Sequence, residues 1–288
     1  MTPEPLTLYD IVPGRKIADR FTVVGGHRQG GFSTAFEVID EQEGDARCEL
    51  QLFPSGLFEG DGQVSEFSRR LKPWIELDSD RVLGVRAMLE VDDDTLAVVT
   101  SYPEGVSLRE LLNDRGRLEH AEVLAIGREL LAGLVDIHTR GLVHGDIKPL
   151  TIHVNGEGPE MRTLLIDGGV THGLWTAKGL GDRTALIGTP YYAPVEQFGG
   201  DAPDIRSDIY NVATVLFECS TGVLPWAGST FLEVFQSKLQ DPPPMHERAP
   251  GVKVDSSLEE AIRKGCLADR NRRYGSAADF LAAIEAVA

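Results

Sequence analysis

Three cysteines in 288 residues leave little for a covalent framework. Cys48, Cys219 and Cys266 lie far apart inside apolar stretches, odd in number and without metal-ligand spacing. That pattern argues against a disulfide scaffold or a cysteine-held metal and suits reduced core residues. The histidines are scattered and show no ligand spacing, so no metal site is expected. Basic residues are also few: 28 against 45 acidic ones, a net charge of -17. Such a balance disfavours nucleic acid or an anionic membrane as partner. No apolar run is long enough to span a bilayer, and the opening MTPEPLTLYD lacks a basic-plus-hydrophobic signal pattern. The expectation is a cytoplasmic chain without membrane insertion. Internal repeats and low-complexity tails are missing as well.

What is present is an ordinary globular mixture, 42% hydrophobic and 25% charged. The length suffices for one or two cores. Residues 1–19 are a Pro-containing lead-in with weak patterning. From Phe21 the pattern turns β-like: FTVVGG, the glycine turn HRQGGF and AFEVID read as a hairpin. CELQLF follows and ends at Pro54; its alternation puts Cys48, Leu50 and Leu52 on one face and Arg47, Glu49, Gln51 and Phe53 on the other. Residues 63–72 read as a short helix broken by Pro73. LGVRAMLEVDDDTLAVVTSY then reads as two strands around an Asp92–Asp94 turn. Beyond Pro103 the chain is helical: from Ser107 through LRELL, from Val123 to His138, and from Asp208 to Thr221, the last too apolar all round for a surface. GSTFLEVFQSKL and two short helices complete it. β-rich first and α-rich later predicts an α+β chain of two lobes, residues 20–101 and 102–288, joined near Thr100 to Tyr102.

The stretch VHGDIKPLTIHV, residues 143–154, sets an Asp and a Lys two residues apart in a polar loop between apolar runs, the pattern of a site. It resembles the catalytic loop of bacterial, eukaryotic-like Ser/Thr protein kinases, matching at His144, Asp146, Lys148 and Pro149. LLIDGGV at 164–170 resembles that family's strand and DFG turn, and GTPYYAPVEQ at 188–197 the end of its activation segment. SDIYNVATVLFE at 207–218 resembles the buried helix with its anchoring Asp208, and LADRNRRY at 267–274 puts Arg273 where the family pairs an arginine with the glutamate at Glu196. VTSYPEGVSLRELL resembles the hinge, with Thr100 at the gatekeeper position. Six such motifs in order imply the two-lobed protein-kinase fold over nearly the whole chain.

The resemblance also shows departures at the positions that carry phosphoryl transfer. Gln51 stands where the family has its third-strand lysine, and Arg70 where it has the helix glutamate, with Glu66 one turn earlier. Arg28 and Ser33 replace the first and third glycines of the phosphate loop, leaving Gly30 and Gly31. Thr151 replaces the magnesium-binding asparagine, Gly168 the DFG phenylalanine and Gly145 the arginine that receives a phosphorylated loop. Thr171, Thr176 and Thr184 are therefore not expected to be activating sites of that type. Around adenine the roof positions are Ala35 and Glu49, the latter costly to bury against a neutral ring, and the floor is His153. Asp146, Lys148, Asp167 and Thr189 remain; they are either surviving catalytic groups or a hydrogen-bonded cluster holding the loop.

The implied reading is a pseudokinase, a protein-binding scaffold or regulator with no cofactor, whose partner is an active kinase or another signalling protein. The alternative is a weak Ser/Thr kinase using ATP and Mg with Asp146 and Asp167. Three structural expectations accompany it. Glu196 and Arg273 form a buried ion pair; Trp74 fills the space vacated at Gly168; and Glu49 and His153 either meet or point to water.

Overall fold

A computed structural model describes residues 11–29, 33–53, 56–92, 95–179 and 191–287. The chain divides into two compact units: Met1–Asp78 with Leu83–Pro103 and Thr176–Gly179, and Ser79–Val82 with Glu104–Trp175 and Leu180–Ala288.

Among the described residues the first unit holds six strands: β1 (Lys16–Ile17), β2 (Phe21–Gln29), β3 (Thr34–Asp40), β4 (Ala46–Phe53), β5 (Val85–Asp92) and β6 (Thr95–Ser101). They form one antiparallel sheet in the order β1-β2-β3-β4-β6-β5. The alternation in β4 holds: Cys48, Leu50 and Leu52 are buried with Phe21, Val23, Phe36, Val38, Ala97 and Val99 in one apolar cluster. β2 carries register shifts between Val23 and Gly25 and between Gly26 and Arg28. A shift of this kind reassigns every later side chain to a face. Its outcome here is that Arg28, Ala35, Gln51 and Val98 share one rung of the ladder, and residues on one rung point to the same face.

Helix α1 (Asp61–Ile75) belongs to this unit and buries Phe67, Leu71 and Trp74. The expected break at Pro73 does not occur. Pro73 lies in the last turn, where the helix ends two residues later and only one backbone hydrogen bond depends on the missing N–H. Burial of Trp74, 2% exposed, holds that last turn in place. Gly84 leaves room for it, since a Cβ there would sit 2.9 Å from Leu77 O and 3.1 Å from Trp74 O.

The second unit has a small sheet, β7 (Val106–Ser107), β8 (Ile152–Asn155) and β9 (Arg162–Leu165), in that order. Its helices are α2 (Leu108–Arg115), α3 (His120–His138), α4 (Val170–Lys178), α5 (Val195–Phe198), α6 (Ile205–Thr221), α7 (Phe231–Lys238), α8 (Met245–Arg248), α9 (Ser256–Gly265) and α10 (Ala277–Glu285). Ser107 caps α2 through a capping box with Glu110, and Asp204 caps α6 with Ser207. α6 is buried at every position from Ser207 to Thr221, which is why its sequence is apolar all round. α3, α9 and α10 pack about it, and α10 packs against both α3 and α9. Helix α4, directly after the glycine pair Gly168–Gly169, was not foreseen in the sequence, and neither was the small sheet.

Candidate functional site

In the first unit the residues of interest lie on the sheet face opposite the apolar cluster. Glu49, 1% exposed, receives both arms of Arg28: Nε to Oε2 at 2.9 Å and Nη2 to Oε1 at 2.6 Å. Gln51 Nε2 donates to Glu49 Oε1 at 3.3 Å, and Ser33 Oγ lies 3.5 Å from Gln51 Oε1. A forked guanidinium–carboxylate pair is the strongest form of side-chain hydrogen bonding. Glu49 was expected to meet His153 or water, and both readings overlooked Arg28. The two are 21 residues apart, and the shifts in β2 decide that they face each other. Ala35 and Thr100 are buried on the rungs of Gln51 and Glu49 respectively. Gly30 lies outside the described residues. On α1, Arg69 and then Arg70 hydrogen-bond Glu66 and hold its carboxyl down to about 2. Arg70 thus has its own acid one turn back.

In the second unit the loop after α3 is organised by Asp208, fully buried at the start of α6. Its carboxylate accepts the amides of His144 and Gly145 at 2.9 and 2.8 Å and faces His138 Nε2 at 2.9 Å. Burial opposes ionisation of Asp208, but the His138 hydrogen bond, the nearby imidazoles and the Gly145 amide outweigh it and hold the carboxyl below its usual range. His144 accepts the Asp146 amide at Nδ1, 3.3 Å, so its proton is on Nε2, directed at Ile166 O at 2.9 Å. Gly145 adopts φ +85°, and a Cβ there would come within 3.1–3.2 Å of His172. Backbone conformation and crowding both select glycine, so the position has no room for the family's arginine.

Asp146 Oδ2 accepts Lys148 Nζ at 2.6 Å and has Thr171 Oγ1 at 3.4 Å. The expected Asp146–Lys148 contact is therefore present; Thr189, its proposed third member, lies outside the described residues, as does Thr184. Thr151 turns its hydroxyl into the loop, 2.9 Å from Asp146 O and 3.1 Å from Lys148 O, while accepting the Lys148 amide at 3.1 Å. Asp167 has φ +64°, a left-handed conformation that Asp tolerates better than most residues, and Gly169 N bonds back to His144 O at 3.1 Å. His153 Nδ1 lies 3.3 Å from Glu104 O. Among the described residues no group of three or more His, Cys, Asp or Glu side chains is placed to hold a metal.

The family model for the protein kinase domain matches residues 29–282. The chain belongs to the protein kinase family. Curated kinases similar to it include serine/threonine-protein kinase PrkC of Bacillus subtilis, 26% identical over 275 residues, covering 94% of this chain and 41% of that protein. Serine/threonine-protein kinase pkn3 of Myxococcus xanthus is 26% identical over 279 residues, 95% of this chain and 51% of that one. The chain thus spans about half or less of these relatives. Among solved structures, the kinase domain of Mycobacterium tuberculosis PknI aligns with a TM-score of 0.72 at 21% identity, covering 95% of this chain and 98% of that one. Rad53 in complex with AMP-PNP aligns at 0.74 and 20% identity, over 91% and 64%. These likenesses establish the protein-kinase fold, mixed α+β with a sheet lobe and a helical lobe.

In this kinase domain the most complete structural pair is Glu196 with Arg273. Nη1 to Oε1 is 2.6 Å and Nη2 to Oε2 is 2.9 Å, with the arginine side chain at 0% exposure. Arg273 also donates to the carbonyls of Leu267, Ala268 and Arg206 and lies over the Tyr210 ring at 4.7 Å. Sequence reasoning did not find Lys238, whose Nζ is buried against Tyr191 O at 2.8 Å, Ala193 O at 2.9 Å and Tyr210 Oη at 3.3 Å. Only its place in the heptapeptide LEVFQSK beside Val234 marked it as inward-facing. Nor did it find the cluster of half-buried Arg109 with buried Glu218 and Tyr192, in which Arg109 Nη1 meets Glu218 Oε1 at 2.9 Å.

Proposed function

We propose that this kinase domain is a pseudokinase that works by binding other proteins and does not use ATP. The observation that carries the reading is the buried Arg28–Glu49 pair. At kinase positions, Glu49 belongs to the adenine roof and Arg28 to the phosphate loop. A neutral ring offers Glu49 nothing in exchange for its guanidinium, and a desolvated carboxylate left unpaired is strongly disfavoured. Gln51 is uncharged and engaged with Glu49, so the position of the family's lysine supplies no cation for phosphates. The Thr151 oxygen closes the loop, which makes it a poor magnesium ligand. These residues do not fit Mg-ATP. The Asp146–Lys148 pair and Asp208 then serve to fix the loop, and the partner is another protein, an active kinase or a substrate of one. A cytoplasmic setting goes with this reading; no helix among the described residues is long and apolar enough to cross a membrane.

One observation favours a second reading, a weak Ser/Thr kinase. Arg28 shares the rung of Gln51, so its charge lies on the face where the family's lysine would act. The two readings separate in a thermal-shift titration with Mg-ATP, because only a ligand bound to the native state raises the melting temperature. The pseudokinase reading expects no shift in the wild type and no radiolabel transfer to itself or a generic substrate. A wild-type shift, with transfer abolished by Asp146→Asn, refutes it. A shift that appears only in Glu49→Ala supports the blocked roof.

A further inference from the structure

The chain has four asparagines, Asn113, Asn155, Asn211 and Asn271, and only Asn155 is followed by glycine. An asparagine carboxamide can be attacked by the backbone nitrogen of the next residue, closing a five-membered imide. The nitrogen must give up its proton to solvent, the main chain must turn, and a Cβ on the following residue crowds the ring. The four positions differ on every count.

Three of them are held by the fold. Asn113 lies in α2 and Asn211 in α6, where the nitrogen that would attack sits in a helix and its N–H is directed at a carbonyl one turn back. Asn211 is also buried, 2% exposed, and its Nδ2 donates to Tyr192 O at 2.8 Å. At Asn271 the attacking nitrogen would be that of Arg272, which donates to Asp269 O at 3.0 Å, while Asn271 Oδ1 accepts Arg206 Nη1 at 2.7 Å. The residues that follow these three, Asp114, Val212 and Arg272, all carry a Cβ.

Asn155 is different. It is exposed at the end of β8, opposite Arg162 of β9, and Gly156 beyond it is exposed as well. Gly156 N donates to Asn155 Oδ1 at 2.9 Å, so the carboxamide already lies beside the nitrogen, its carbon one bond from that oxygen. Groups held at contact distance need little further ordering to react. Gly156 has φ +82° and Gly158 φ +57°, and glycine changes its backbone angles at small cost. Cross-strand partners share a face, so the charge of Arg162 lies on the side where a carboxylate at position 155 would form.

We infer that Asn155 is a site of spontaneous covalent modification, in which water converts it through an imide to aspartate and isoaspartate. Hydroxide removes the Gly156 amide proton and the nitrogen attacks Asn155 Cγ. A C–N bond forms, the Cγ–Nδ2 bond breaks, and the side-chain nitrogen takes up a proton and leaves as ammonia. Water then adds to one imide carbonyl, the C–N bond to that carbon breaks, and the ring nitrogen regains its proton. Opening at Cγ gives aspartate; the ladder stays intact and a carboxylate faces Arg162, an opposite-charge pair. Opening at the main-chain carbonyl gives isoaspartate, which lengthens the backbone by one carbon just before Gly156. A Cβ on Gly156 would already come within 3.0 Å of Glu160 O, so this product loosens the turn between β8 and β9. Nothing in the inference depends on the nucleotide site.

The test incubates the full chain without nucleotide at pH 8.5 and 37 °C and follows each asparagine by peptide mass, which registers the exchange of NH2 for OH. Chromatography against synthetic standards separates aspartate from isoaspartate. Asn155 is expected to convert at least about ten-fold faster than Asn113, Asn211 or Asn271, to slow at pH 6.5, and to give both products. Its rate in the folded chain should lie within about ten-fold of that in the urea-unfolded chain, because the fold leaves the site open. Asn155→Gln, which would need a six-membered ring, should not convert at that position, with the melting temperature unchanged. Conversion at Asn155 no faster than at the other three overturns the inference. So does a folded chain that reacts more than ten-fold more slowly than the unfolded one, or aspartate formed without isoaspartate, which would bypass the imide. A phosphotransfer or Mg-ATP result leaves this outcome unaffected, so failure here is distinct from failure of the pseudokinase reading.

Discussion

Removing Arg273 should damage the helical unit more than removing its partner Glu196, and the difference follows from who else serves each group. Arg273→Ala strands a carboxylate that is 8% exposed, three carbonyls and the face of Tyr210. Glu196→Ala leaves a guanidinium that keeps those three carbonyls and the ring. Breaking a buried ion pair costs roughly 3–5 kcal/mol, so Arg273→Ala belongs at about 5 and Glu196→Ala at about 3 kcal/mol. For a unit of this size each kcal/mol moves the melting temperature by about 2–4 °C. The expected falls are then roughly 10–20 °C and 6–12 °C. Calorimetry, with urea melts to confirm an unchanged m-value, reads both. A double variant, Glu196→Leu with Arg273→Met, should cost less than the sum of the singles, because neither charge is left alone. An unchanged melting temperature for Arg273→Ala, or a Glu196→Ala that costs more, would refute the reasoning.

Lys238 gives a pH signature: burial pulls its ammonium down from 10.5 to about 7. Between those values the unfolded chain holds a proton that the folded chain does not, so folding gains about 1.4 kcal/mol per pH unit as pH rises. Against Lys238→Met, the wild type should therefore gain stability from pH 7 to 10; parallel curves for the two proteins would contradict this. Gly105→Ala forces a Cβ into Val154 O at a positive φ and should cost at least about 2 kcal/mol, with a melt indistinguishable from wild type counting against the backbone account.

What could be read from sequence was whatever a short period or a local cap encodes. The alternation of Cys48, Leu50 and Leu52, the Ser107 cap and the all-round apolarity of α6 each declare themselves within a few residues. The Glu196–Arg273 pair came from resemblance and is present as expected. What could not be read depended on tertiary register. The Arg28–Glu49 pair exists because two irregularities in β2 turn Arg28 onto the face of Gln51. The helix through Pro73 survives because Trp74 is buried just beyond it. Gly145 looked like a missing arginine, whereas its φ and the nearness of His172 show a position that only glycine fills comfortably.

The three cysteines, so few that they first served only to exclude, give the molecule its own stopwatch. All are free and buried, and burial raises each thiol: Cys266 to about 12, Cys219 and Cys48 upward as well. The reactive thiolate is therefore withheld twice, by inaccessibility and by protonation. A thiol reagent added to the native protein can act only as fast as the surrounding packing opens. Cys48 belongs to the sheet unit, and Cys219 and Cys266 to the helical one. Resolving the modified peptides by mass would time the loosening of each unit separately, in the unaltered chain, with no probe introduced.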